Sequence, residues 1–269
     1  MYKNAAKIAL LLAGLGVSAI AGAYTVTGTL MADYYSDTNH DPDFEGHCCS
    51  DVFYNMVNPT LYNGLPTLNT AYSSNPSNPV VHDIDANRNI NWWGRGSDVS
   101  NNSHLSYDGS GYTTMLPVAL NDIYAPHASG SNDSSAFQTA VYTGWFKTTG
   151  TTALTFSLRA DDDAFVFLDG HLVQQVGGVH PLPSFADLAT DTVGHGWHEL
   201  EIFYADRHTV DASLDFSINA SIPSVQLLSA VPEPETWALL GLGMIGMGWL
   251  SQRSKKRADS SDEPALLVS

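Results

Sequence analysis

Strict apolar alternation in the second half of the chain constrains the fold more than any other feature. Leu154, Phe156 and Leu158 share one face of an extended segment, as do Leu200, Ile202 and Tyr204, and again Leu214, Phe216 and Ile218. A period of two is the signature of strands with one buried face. Thr139–Lys147, Ala153–Arg159, Phe165–Leu168, Leu172–Val176, Trp197–Tyr204 and Ala212–Ala220 are read as strands. Asp169-Gly170 joins two of them as a tight hairpin, because both turn positions tolerate positive φ. No long amphipathic helix accompanies them, so the chain is all-β, an antiparallel β-sandwich.

Both ends read as targeting segments rather than fold. Residues 1–23 run from Lys3 and Lys7 through an apolar stretch to Ala21-Gly22-Ala23, the pattern of a cleaved signal peptide, with Tyr24 as the mature N-terminus. Near the other end, Val231-Pro232-Glu233-Pro234 precedes the uncharged run Trp237–Leu250 and the basic cluster Arg253–Arg257. As a helix that run spans about 21 Å, a marginal transmembrane length. Pro232, Glu233 and Pro234, the hydrophobic helix and the basic end resemble the PEP-CTERM sorting signal over 231–257. The resemblance implies a Gram-negative-type bacterium, transient inner-membrane anchoring, processing by an exosortase-type membrane protease, and delivery to the cell surface or extracellular matrix. A polar tail, 258–269, runs past the point where such signals usually end. Gly241-Leu242-Gly243-Met244-Ile245-Gly246 satisfies G-x-G-x-x-G, but without the strand, βαβ unit and acid that dinucleotide binding needs.

That leaves a body, 24–229, with 23 acids against five bases, a charge of −18. Nucleic acid as a direct partner is excluded on that balance. Between residues 36 and 135 the chain is rich in Asn, Ser, Pro and Gly with no clean period, yet it carries Trp92-Trp93 and many Tyr and Phe. Such aromatic content predicts long ordered loops packed on the sandwich rather than disorder. Cys48 and Cys49 are the only cysteines. Adjacent cysteines leave open two thiols, pairing between chains, or a strained vicinal disulfide.

The strongest chemical feature is Asp161-Asp162-Asp163 at a strand start. Three consecutive carboxylates repel unless something positive neutralises them. Two readings follow: a Ca²⁺ site, suited to the extracellular space, or a solvated acidic loop paired with Arg159 or Arg207. The residues alone do not choose between them, although an EF-hand loop is absent.

The run DDDAFVFLDG, the segment Gly177-Gly178-Val179-His180 and the strand from Gly196 to Tyr204 ending in Ala205-Asp206-Arg207-His208 resemble the C-terminal half of the fibro-slime domain. Asp41-Pro42-Asp43-Phe44-Glu45, Val57-Asn58-Pro59-Thr60-Leu61, Gly64-Leu65-Pro66 and Thr143–Thr148 echo its N-terminal half. That family is similar to the protective-antigen-type carbohydrate-binding superfamily, whose lectin members bind Ca²⁺ through two adjacent aspartates joined by a cis peptide, the ion then holding sugar hydroxyls. The resemblance implies a β-sandwich of this type with long loop insertions. It places Ca²⁺ on Asp161 and Asp162, with Asp163 beside them and Gly177, Gly178 and Asp206 as further metal or sugar contacts. Asp169 is read only as the turn residue.

Catalysis is not expected. Adjacent carboxylates do not provide the separation that glycosidases need, and neither G-x-S-x-G nor H-E-x-x-H occurs. Trp92, Trp93, Trp145 and Trp197 can stack on sugars or serve as core. The sequence therefore reads as a non-enzymatic, exported module that binds carbohydrate, such as its producer's exopolysaccharide, with Ca²⁺. The alternative is a structural matrix protein with at most a structural Ca²⁺, and a polysaccharide hydrolase comes third.

Overall fold

The computed structural model describes residues 23–38, 41–44, 50–121, 137–208 and 212–229. The signal peptide, Cys48 and Cys49, and the whole C-terminal sorting segment lie outside the described residues. In chain order the elements are β1 (Tyr24–Thr25), β2 (Thr27–Asp37), the single-turn helix α1 (Thr70–Ser73), β3 (Ser106–Leu116), β4 (Val118–Asn121), β5 (Phe137–Thr148), β6 (Thr152–Asp161), β7 (Asp163–Leu168), β8 (His171–Val176), β9 (Asp187–Val193), β10 (Gly196–Ala205), β11 (Ser213–Ala220) and β12 (Gln226–Leu227). Among the described residues no helix is long and apolar enough to cross a membrane.

Two sheets stack. The smaller runs β1-β11-β6-β9 with β4 also on β11, and the larger runs β12-β2-β5-β10-β7-β8 with β3 on β2. All the pairings are antiparallel except β12 on β2. The alternating triplets seen in the sequence meet between the sheets. Leu154, Phe156 and Leu158 join Leu214, Phe216 and Ile218 from one side, and Leu200, Ile202 and Tyr204 come from the other, all buried in one cluster. The hairpin turn forms as read, with φ of 52° at Asp169 and 73° at Gly170.

A second apolar cluster covers the outer face of the larger sheet. Tyr35, Phe165, Phe167 and Phe203 point there and are sealed by Phe44, Met56, Leu65, Leu68, Tyr72, Ile90, Trp92 and Trp93 from the irregular segments. This third layer explains why every residue of β7 is buried: Ala164, Val166 and Leu168 face the sandwich core while Phe165 and Phe167 face the loops. The loop region between β2 and β3 is thus ordered packing, held by ring contacts such as Trp93 on Phe165 and Phe203. Trp92 and Trp93 are wholly buried, so they serve as core and not as sugar platforms. Part of the aperiodic region is nevertheless strand: β3 and β4 lie within it. The alternation of Ser106–Leu116 is masked by Gly109, Gly111, Ser and Thr, and its pairing with β2 slips at bulges near Ala32, Tyr34 and Tyr35.

Candidate functional site

The chain crosses from one sheet to the other at the triple aspartate. Asp161 ends β6 in the smaller sheet and Asp163 begins β7 in the larger, and the peptide between Asp161 and Asp162 is cis. Ladder pairing between β7 and β8 stops at Ala164–Val176. Beyond it the partner segment continues alongside, and alternate amides that would face carbonyls in a sheet donate instead to carboxylates. Gly178 N–H donates to Asp163 Oδ1 at 2.7 Å, His180 N–H to Asp162 Oδ1 at 2.8 Å, and Leu182 N–H to Asp161 Oδ2 at 3.1 Å.

Arg207, just past β10, closes the arrangement from the other side. Its backbone N–H donates to Asp162 Oδ2 at 2.7 Å, Nη1 reaches Asp163 Oδ2 at 3.3 Å, Nε donates to the Asp43 carbonyl at 2.9 Å, and the guanidinium lies 4.3 Å from the Trp92 ring centre. The side chains of Arg207 and Asp163 are both out of solvent. Burial pushes Asp163 up, and it pushes Asp162 up to about 6 with the Asp163 charge adding to it. Burial alone would lower Arg207, but the Asp163 and Asp43 charges outweigh it and hold the guanidinium above its ordinary range. The reading of a solvated acidic loop is therefore corrected in part: Arg207 is the ion-pair partner, but the triad is buried. Arg159 instead pairs with Asp215 on an outer face.

The remaining residues singled out in the sequence have structural contacts. Gly177 exchanges backbone hydrogen bonds with Phe53. Gly178 has φ of 105°, and a Cβ there would meet the Asp51 carbonyl oxygen at 2.6 Å, so no other residue fits against that loop. Asp206 is fully buried and accepts from the His208 N–H. Asp169 does more than turn the chain: its carboxylate holds the His198 ring at 2.7 Å and the Glu199 N–H at 2.9 Å.

A second group of acids adjoins this site through Asp43. Ligand oxygens of Asp41, Asp43 and Asp83 all lie within 4.8 Å of one another, which the triple aspartate does not achieve. Asp43 accepts from His82 N–H, Asp83 N–H and Trp92 Nε1. Asn102 Nδ2 donates to both Asp37 and Asp41, at 3.2 and 3.0 Å. Burial and the neighbouring Asp41 push Asp37 up to about 8. Asp83 also rises to about 8, through burial and its hydrogen bond with Asp41, and that bond keeps Asp41 below its ordinary value. Sequence reasoning had noted Asp41 and Asp43 only as part of a resemblance. The available signal was the Asp-Pro-Asp spacing, whose first carboxylate accepts the third residue's N–H. Asp83 and Asn102 carry no local signal, since only the fold brings them there.

The two groups share one end of the sandwich. Asp37, Asp41, Asp43, Asp161, Asp162, Asp163 and Asp206 are buried, and Arg207 is the only buried Lys or Arg among the described residues.

Comparison with known proteins supports export most directly. Residues 230–254 match the PEP-CTERM protein-sorting motif. The chain is similar to psiR of Dictyostelium discoideum, 30% identical over 118 residues, which is 43% of this chain and 11% of that protein. With psiE of the same organism it shares 34% identity over 67 residues, 24% of this chain and 13% of that protein. The chain thus spans little more than a tenth of the curated relatives it matches. Among solved structures, the PA14 sugar-binding domain of an RTX adhesin aligns over 74% of this chain and 94% of its own, with 17% identity and a TM-score of 0.33. The Epithelial Adhesin 9 A domain of Candida glabrata in complex with Galβ1-4GlcNAc aligns over 78% of this chain and 94% of its own, with 13% identity and a TM-score of 0.34.

Proposed function

We propose that this chain is an exported surface or matrix protein whose sandwich binds carbohydrate without catalysis, and that a Ca²⁺ ion at Asp161 and Asp162 takes part in that binding. One observation carries the reading: seven buried aspartates share one end of the fold with Arg207, the only buried Lys or Arg among the described residues. Uncompensated buried charge costs several kcal/mol per group, so it is met by protons or by a cation. A hard, oxygen-preferring cation suits carboxylates already fixed by backbone amides. Each carboxylate oxygen of Asp162 accepts one N–H and keeps a second lone pair, so Asp162 retains donor capacity, with Asp161 joined to it through the cis peptide. Asp163 is the weakest ligand of the three, because Arg207 and the Gly178 amide hold it. Bound there, Ca²⁺ would offer open coordination positions to sugar hydroxyls. The sorting motif at 230–254 supports an extracellular setting and processing by an exosortase-type protease.

The alternative, a matrix protein in which Ca²⁺ only rigidifies the fold, draws on the same anchoring: carboxylates fixed by backbone amides also make a good structural clasp. A glycan array probed in Ca²⁺ and again in chelator separates the two. A chelator-sensitive glycan signal is expected. A melting temperature that falls in chelator with no calcium-sensitive glycan signal would establish the structural reading instead.

A further inference from the structure

The outer face of the smaller sheet carries a different kind of surface. Arg159 and Asp215 sit opposite each other on β6 and β11, Ser157 and Ser217 form the next pair, and Leu188 of β9 lies opposite Ser157. A cleft of about 470 Å³ runs over Arg159, Asp215, Ser157 and Ser217 and is walled by Ser184 and Phe185, with Leu188 next to Ser157 on the neighbouring strand. Phe185 is 87% exposed and Leu188 68%, the two most exposed large apolar side chains among the described residues. The floor is not loose. Arg159 is held between the Pro183 carbonyl and the Asp215 carboxylate, so its guanidinium and its partner present fixed polar edges.

We infer that this cleft is a second carbohydrate subsite, for a neutral polysaccharide segment, working without a metal ion. The inference rests on the carbohydrate reading for its ligand class but on none of the aspartates at the sandwich end. Three features select the ligand. An exposed ring beside hydroxyl groups and a planar ion pair matches the C–H face and hydroxyl edge of a sugar ring. The volume falls within the range of small-ligand clefts. Charge argues against a polyanion: Asp215 already neutralises Arg159, and the body carries −18, which repels acidic chains.

Affinity electrophoresis of the full-length chain tests this, in chelator and through gels containing galactomannan, β-1,3-glucan or dextran, with hyaluronan as the anionic control. Retardation by at least one neutral polymer is expected to survive chelator and to weaken about tenfold in Phe185→Ala, with a smaller loss in Leu188→Ser. Both side chains are exposed, so both variants should fold. Unchanged retardation in Phe185→Ala would overturn the inference, as would retardation by none of the neutral polymers. A dimer in sedimentation that dissociates in Phe185→Ala would also overturn it, marking the patch as a self-contact. Calcium-dependent binding that persists in Phe185→Ala, with no chelator-resistant component in the parent, would remove this subsite and leave the aspartate site standing. Chelator-resistant binding lost in Phe185→Ala, with no calcium-dependent component, would do the reverse.

Discussion

At the residue scale the account turns on Arg207 and the carboxylates around it. The Arg207 guanidinium serves Asp163, the Asp43 carbonyl and the Trp92 indole face at once, a fork that a lysine cannot reproduce, while its backbone N–H holds Asp162 whatever the side chain. Arg207→Met leaves Asp163 buried and unpaired, so a loss of about 3–5 kcal/mol is expected in urea denaturation, with Arg207→Lys recovering only part of it. Asp83 offers a test with a definite sign. Its carboxyl titrates near 8 in the fold and near 3.9 unfolded, so between those values the folded state holds the extra proton and stability falls as pH rises. Asp83→Asn imitates the protonated form. Without divalent cation its melting temperature should match the parent below about pH 4, exceed it progressively between about pH 4 and pH 8, and level off above that. Parallel curves for the two proteins would show that Asp83 does not titrate in this way.

At the element scale, the glycines after β7 and β8 separate two kinds of constraint. Gly170 has φ of 73° with open space where a Cβ would go, whereas Gly178 combines φ of 105° with backbone and side-chain atoms within 3 Å. Gly170→Ala should cost about 1–2 kcal/mol, the penalty for a left-handed L-residue. Gly178→Ala should cost more and also displace the amide that holds Asp163, visible as a steeper pH dependence of the melting temperature. Equal costs would mean that the loop at Asp51 simply moves aside. Strands β6 and β11 beside this site were legible in the sequence because each buries one face and alternates cleanly, whereas β7, buried on both faces, was legible from the Asp169-Gly170 turn that ends it. β9 was not, since as an edge strand its Leu188, Thr190, Asp191 and Thr192 are exposed and it carries no apolar period. β3 was hidden by its glycines and bulges. The triple aspartate stood out as a charge problem, but its solution, a ladder of alternate amides from 178 to 182 together with Arg207, depends on pairings that no local spacing displays. The companion group at Asp41, Asp43 and Asp83 joins residues some forty positions apart through the loop layer, and only the aromatic content of that region, Trp92-Trp93 with its Tyr and Phe, hinted that this layer was ordered.

At the scale of the whole molecule, negative charge and its burial are unevenly distributed. The body's −18 is a long-range repulsion that salt screens, while charge on the buried aspartates lies beyond the reach of such screening and is met locally, by protons, Arg207 or a cation. The larger sheet spends its outer face on the aromatic loop layer, leaving the smaller sheet's outer face and the aspartate end as the surfaces with chemistry to offer. Calcium titration of the chelator-treated full-length chain, followed by calorimetry and by melting temperature, tests the central claim most directly. The account expects binding in the millimolar range or tighter, a melting temperature that rises with Ca²⁺, and loss of both responses in Asp162→Asn but not in Asp83→Asn. No heat and no thermal shift at several millimolar Ca²⁺, or a response abolished by Asp83→Asn and untouched by Asp162→Asn, would contradict it.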